Sequence, residues 1–334
     1  MPTAYIEMDQ AYSYLSNPNM PKGPCPCYYR GRSAHCTTFS YINPEVPKYS
    51  VHDLNRIGNS KAYLKELLDE NILTIDRVPE DRIPKPSKQK NGQPGKPRKL
   101  NQVRVHKSEE PIIDLESIKL ELNSLTFPLY FLDYETYPTA IPIFDGYRPY
   151  QHIVFQYSLH ILSEEDAKNG TEPKHVDDLF LDGDPAERIV ESLRKNIGDK
   201  GSVISWYKKF ENSRNKELAS LMPLQYEFLH DVIKRTYDLM DIVEKQYYVH
   251  HGFEGRSSIK KVLPVIAPAG PEYSYKALGV QNGMDAIEAY RKIEKGELVG
   301  SQAEEKKKEM LEYCKLDTKA MYIIWKHFWD LINK

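Results

Sequence analysis

The chain has 334 residues, 40% hydrophobic and 28% charged, with 46 basic against 48 acidic side chains and a formal net charge of −2. This is the composition of a soluble globular protein with core enough to fold without covalent staples, and it excludes a global basic field for nucleic acid, which would have to meet a local patch instead. No apolar run is long enough to span a bilayer, and the start, MPTAYIEMDQAYSYL, lacks the charged and apolar regions of a secretion signal. A cytoplasmic protein with no membrane partner is therefore expected. Of the four cysteines, Cys25, Cys27 and Cys36 lie close together and Cys314 lies far away, a poor disulfide framework for a chain of this size.

In chain order, residues 1–82 hold the cysteine cluster and then SVHDLNRIGNSKAYLKELLDENI, where Val51, Leu54, Ile57, Leu64, Leu67 and Leu68 recur at helical spacing. A small, mainly helical N-terminal segment is expected there. Residues 83–110 read as a basic Pro/Gly linker, with eight Lys or Arg and no Asp or Glu over 83–108. The main domain, 111–334, starts with a helix over PIIDLESIKLELNSL. Three β-rich runs follow, PLYFLDYETY, HIVFQYSLHIL and VDDLFL, whose short connections predict neighbouring strands. In DPAERIVESLRKNIG, Asp184 suits an N-cap, Pro185 the first helical position and Gly198 a stop. SVISWY reads as a fourth strand; ENSRNKELASLM, LQYEFLHDVIKRTYDLMDIVEKQYY and the C-terminal EEKKKEMLEYCKLDTKAMYIIWKHFWDLI read as helices. Three strands, a helix, a strand and then helices predict an α/β domain with a mixed sheet rather than a strictly alternating one.

The chemistry begins at Asp133 and Glu135, carboxylates inside an apolar and aromatic strand. Alternate strand residues share a face, so the two point the same way about 7 Å apart along the strand. Like charges so placed repel unless one is protonated or a cation intervenes, and a hard divalent ion with oxygen ligands is the simplest compensation. Two further stretches offer ligands: Tyr313 and Asp317, at i and i+4 on the last helix, and Glu211 at a helix start, where the dipole favours an anion. Alone, D-x-E also fits a salt-bridged pair or an edge-strand device against aggregation, and Y-x-x-x-D is common by coincidence. The conjunction, in this order and on these elements, is what points to a site.

That constellation resembles the DEDD exonucleases with a ribonuclease H-like fold, in the subgroup whose third motif carries Tyr. The resemblance covers roughly residues 126–330. YFLDYETY, DGYRPYQHIVFQYSLHI, YKKFENSR, FEGRSSIKKVLP and LEYCKLDT are similar to an uncharacterised bacterial branch of that superfamily, in which the nuclease-like domain follows a cysteine-bearing segment. It implies a ribonuclease H-like mixed sheet flanked by helices, two Mg²⁺ or Mn²⁺ ions held by Asp133, Glu135, Glu211 and Asp317, and Tyr313 orienting the attacking water. The implied activity is two-metal 3′-5′ exonucleolytic hydrolysis of single-stranded DNA or RNA. An endonuclease on the same fold, and an inactive nucleic-acid-binding or scaffold protein, are the alternatives. Glu211 departs from the pattern, since many of these enzymes have Asp after the aromatic residue. Asp238 and Asp241 could substitute for it, although solvated or capping roles suit them better.

Arg256, Ser258, Lys260 and Lys261 lie around an expected helix start, a natural phosphate site for substrate. His250 and His251, adjacent in sequence, are not expected to bind metal, and Cys314, about 100° round the helix from Tyr313, reads as a buried packing residue. Cys25-Pro-Cys27 with Cys36 does not match common zinc spacings, and three thiolates are one short of the usual iron–sulfur set. The segment is similar to the C-terminal cysteine region of RecB-type nucleases. An incomplete, vestigial metal cluster is preferred over one completed by His35 or another residue.

Overall fold

The computed structural model describes residues 2–17, 25–86, 95–267, 270, 273–275 and 278–334. The chain divides into two compact units, Met1–Lys85 and Pro86–Lys334. The first contains α1 (Pro2–Leu15), α2 (Phe39–Ile42) and α3 (Lys61–Asp69) with several single-turn 3-10 helices. Its core is the expected set, with Val51, Leu54, Ile57, Leu64, Leu67 and Leu68 buried together with Phe39, Tyr63, Ile75 and Val78. Arg32 bridges to Asp53 at 2.8 Å, and Asp53 closes a capping box with Ser50.

The second unit opens on α4 (Arg98–Ser108), which corrects the reading of this stretch as a spacer. Its charged sequence hides three inward residues, Gln102, Val103 and Val105, and Arg98 pairs with Glu244 at 2.9 Å. Residues 87–94 of the expected linker lie outside the described residues. After β1 (Ile112–Ile113) and α5 (Leu115–Asn123) come β2 (Leu129–Pro138), β3 (His152–Leu162), α6 (Glu164–Asn169), β4 (Lys174–Leu179), α7 (Ala186–Asn196) and β5 (Ser202–Ser205). Then follow α8 (Lys209–Leu221), α9 (Tyr226–Arg235), β6 (Thr236–Asp238), α10 (Asp241–Glu244), β7 (Tyr248–Val249), α11 (Ile259–Ile266), α12 (Gly283–Glu294) and α13 (Gly300–Ile332).

The domain is thus α/β, with a mixed five-stranded sheet ordered β4-β3-β2-β5-β6, as expected for a ribonuclease H-like fold. Central β2 pairs antiparallel with β3 and parallel with β5. Gly201 makes the turn into β5: its φ is +99°, and a Cβ there would stand 2.2 Å from the Pro128 carbonyl oxygen. Helices cover both faces. Leu129 and Phe131 point to one apolar layer with Trp325 and Phe328 of α13, whereas Tyr130, Leu132 and Tyr134 point to another formed by α7, α8 and α9. The strand alternation places Asp133 and Glu135 on the α13 side.

Two elements differ from expectation. The long helix anticipated from Leu224 onward breaks at Arg235, because Thr236–Asp238 pairs with Val203–Ser205 as a fifth, parallel strand. β1 and β7 form a two-stranded ribbon that the sequence reading does not contain. The start of α7 is one residue later than anticipated: Pro185, not Asp184, is the N-cap residue and Ala186 the first helical one, although the Asp184 carboxylate accepts the Ala186 N–H at 3.0 Å. Among the described residues, no helix is long and apolar enough to cross a membrane.

Candidate active site

Each acid is delivered by a different constraint. Asp133 and Glu135 stand on the central strand, opposite Ser158 and Gln156 of β3, with a bulge immediately after Glu135. A bulge re-aims a strand at its end, here next to the second carboxylate. Asp317 sits on α13, which is fastened to β3 on either side of it. Gln156 donates to the Met310 carbonyl at 2.9 Å, and Thr318 shares hydrogen bonds with Ser158 at 2.7 Å and His160 at 2.8 Å. Glu211 comes from the first turn of α8. One turn later on the same face, Asn215 accepts a 2.8 Å hydrogen bond from the buried Tyr134 hydroxyl, which ties α8 to β2.

Asp238 ends strand β6, where a helix was expected, and is buried; from there its carboxylate accepts the N–H groups of Tyr207 at 2.9 Å and Lys208 at 3.1 Å, just before α8. Asp241 pairs with Lys245 at 3.1 Å. Neither takes the place of Glu211.

The four acids form one repelling cluster. Glu135, Glu211 and Asp317 are buried, and Asp133 keeps some solvent exposure. Burial, followed by the charges of Asp317, Glu211 and Glu135, pushes Asp133 well above the usual carboxylate range. Burial and the Asp317 charge raise Glu135 to about 8, against an opposing pull from Lys260. Burial likewise raises Glu211 to about 8, with Asp238 adding repulsion and Arg214 opposing it. Asp317 rises only to about 6, because hydrogen bonding from Tyr275, the Lys260 charge and the Tyr313 hydroxyl offset its burial.

Several of these neighbours are not legible as site residues in the sequence. The Tyr275 hydroxyl donates to Asp317 Oδ1 at 2.6 Å; nothing in its local sequence marks it. Cys314 is buried as expected, yet its Sγ lies 3.8 Å from Asp133 Oδ2, and a donor atom from each of Asp133, Glu135 and Cys314 falls within 4.8 Å of the others. Burial and the adjoining carboxylates push the thiol well up, so it donates to Asp133 as a neutral S–H.

The four basic-segment residues separate. Lys260 approaches the acids, its Nζ 5.0 Å and 5.1 Å from the ring centroids of Tyr275 and Tyr313 and donating to the Gln281 carbonyl at 2.7 Å. Lys261 is paired with Glu254. Ser258 is the N-cap residue of α11 without a side-chain capping bond, and the Arg256 N–H donates to the Phe253 carbonyl at 2.9 Å. His250 caps its own turn through the Gly252 N–H. In the first unit the Cys27 thiol neighbours those of Cys25 and Cys36, and His35 is engaged with the Arg30 carbonyl at 2.9 Å while its ring stacks on Phe39.

The donor set fits a hard divalent cation. Glu211 Oε2 is buried with no hydrogen-bond partner among the described residues, a costly condition for a carboxylate oxygen unless a cation meets it. All four acids offer oxygen, the preference of Mg²⁺ and Mn²⁺.

Replacing Asn215 by Ala is expected to lower stability by about 1–3 kcal/mol, because the Tyr134 hydroxyl loses its acceptor in the core. Combining it with Tyr134→Phe should recover part of that loss, as thermal melts of the single and double variants would show. Equal, additive losses would mean that the bond does not fasten α8.

Residues 130–258 match a family model described as a domain of unknown function (DUF2779). Over 223 residues the chain is 29% identical to the uncharacterized protein MG366 of Mycoplasma genitalium, covering 64% of this chain and 33% of that protein. Over 218 residues it is 30% identical to the uncharacterized MG366 homolog of Mycoplasma pneumoniae, covering 61% and 32%. The chain thus spans about a third of the length of these curated relatives. No solved structure matches it.

Proposed function

We propose that this domain is a metal-dependent phosphodiester hydrolase, acting as a 3′-5′ exonuclease on single-stranded DNA or RNA. The observation that carries the reading is the convergence of Asp133, Glu135, Glu211 and Asp317 from β2, α8 and α13, with a Glu211 oxygen buried and unpartnered. These four would hold two Mg²⁺ or Mn²⁺ ions. Bound there, the cations supply positive charge that acidifies water and offsets the charge growing on phosphoryl oxygens.

The chain's own residues then have definite tasks. Tyr275 holds one oxygen of Asp317 and thereby fixes which lone pairs remain for ligation. Tyr313 is held protonated, since burial and the carboxylates of Asp317, Glu135 and Asp133 all raise its phenol. It therefore orients a water by hydrogen bonding and does not act as the base. Lys260, with its Nζ near both the Tyr275 and Tyr313 rings, opposes through its charge the upward shifts of Glu135 and Asp317. Replacing Tyr313 by Phe should lower kcat by about 10- to 100-fold and leave KM little changed, the pattern of a lost transition-state contact. A change confined to KM would assign Tyr313 to substrate binding instead.

Incubation with 5′-labelled single-stranded DNA and RNA in Mg²⁺, Mn²⁺ or EDTA tests the whole reading. A ladder shortening from the 3′ end, absent in EDTA, is the expected result. Internal cuts would make the domain an endonuclease, and retention of the strand without cleavage under any metal would make it a binding protein.

A further inference from the structure

Tyr207 lies between β5 and α8, four residues before Glu211, with its backbone in the left-handed region at φ +76°. A bulky residue occupies that region at a strain of about 1–3 kcal/mol and persists there only where its surroundings fix it. Here they do. Asp238, 5% exposed, accepts the N–H groups of both Tyr207 and Lys208, and the preceding Trp206 indole N–H donates to the Ser257 carbonyl at 3.0 Å. Tyr150 also has a positive φ and an exposed ring, but its N–H meets only the Thr139 carbonyl across its own loop.

Glycine would take the Tyr207 conformation freely, and a tyrosine there carries its ring outward, leaving it 48% exposed. The position is also particular. From β2 the chain builds β3 and β4 to one side, then returns to place β5 on the other, so β2 and β5 are parallel neighbours at the point where the strand order reverses. Ligands of open α/β sheets bind outside the carboxyl ends of strands at such a switch point. Glu135 stands toward the carboxyl end of β2, and Tyr207 follows the carboxyl end of β5.

We infer that Tyr207 is a stacking platform for a nucleobase of a single-stranded substrate, presented on a fixed backbone four residues before Glu211. The inference rests on the nuclease reading and adds to it the means by which a strand is gripped without regard to sequence, since every base offers a π-face. A backbone already fixed has little further freedom to lose when a base stacks on its side chain, which gives the strained conformation a purpose.

The test is fluorescence anisotropy with two labelled single-stranded DNA 15-mers in Ca²⁺, one fully based and one whose three 3′-terminal nucleotides are abasic. Tyr207→Asn keeps a backbone that tolerates the left-handed region while removing the ring. It should weaken binding of the fully based strand by about tenfold or more and leave binding of the abasic strand unchanged, with melting temperature equal to or above that of the parent chain. Tyr207→Trp should bind the based strand as the parent does. Unchanged affinity of Tyr207→Asn for the based strand, or an equal loss on both strands, overturns the stacking role. If the parent chain binds neither strand, the nuclease reading itself fails, a result distinct from failure of the Tyr207 assignment alone.

Discussion

Replacing Asp133 by Asn is expected to reduce metal-dependent cleavage by at least about a thousand-fold, equivalent to about 4 kcal/mol of transition-state stabilisation, and to raise the melting temperature of the metal-free chain. Both effects have one cause. Asp133 is the acid whose ionisation is opposed by all three others, with burial as the first cause and Asp317, Glu211 and Glu135 after it. An amide spares the metal-free folded chain the cost of either charging this acid or holding a proton on it, while it no longer supplies an anionic ligand. The shape is retained, because Asn is nearly isosteric and the strand pairing of Asp133 with Ser158 is made by backbone. Melting curves with and without Mn²⁺ read the two effects separately: the variant should melt higher than the parent in EDTA and gain less from Mn²⁺. A variant that melts lower in EDTA, with Mn²⁺ still stabilising it fully, would mean that Asp133 is an ordinary structural acid.

The second large effect concerns pH. Without divalent cations, the melting temperature is expected to fall by several degrees or more between about pH 5 and pH 8. Glu135 and Glu211 titrate at about 8 in the folded chain, against ordinary values of 4.5. Across that window the folded chain holds protons that the unfolded chain has released, so raised carboxyls stabilise fully below about pH 4.5 and lose that contribution as the pH rises through 8. Asp317, at about 6, adds to the lower part of the window. Mg²⁺ or Mn²⁺ should oppose the trend, because ligation requires the deprotonated acids. The shift in melting temperature produced by the cation should therefore be larger at pH 8 than at pH 5. A metal-free stability that is flat or rising across this range, or a cation shift no larger at pH 8, would contradict the repelling cluster.

Much of this architecture is legible in the sequence where local pattern and burial agree. Leu129, Phe131, Leu132 and Tyr134 alternate around Asp133 and Glu135, and the fold uses the two faces as the alternation predicts. Tyr313 and Asp317 fall on one helix face because i and i+4 must. What stays hidden depends on partners distant in sequence. Thr236–Asp238 continues a helical pattern, and only the exposed edge of β5 makes it a strand. Arg98–Ser108 looks like a solvated basic stretch until Glu244 pairs with Arg98 and the core receives Val103 and Val105. Tyr275 reaches Asp317 from a segment with no periodic signal. Among the basic residues, Lys260 approaches the acids whereas Lys261 is taken by Glu254, a distinction decided by one step around α11.

The packing of α13 has a consequence during protein synthesis. Asp133 and Glu135 leave the ribosome early and Glu211 later, but Asp317 arrives on a helix that contacts β2, β3, β4 and β5. A nascent chain can thus assemble three acids and much of the sheet while the fourth is still in the exit tunnel. The quartet closes only when α13 docks and Thr318 meets Ser158 and His160. Any chemistry that needs all four acids together therefore waits until α13 has emerged and packed against the sheet.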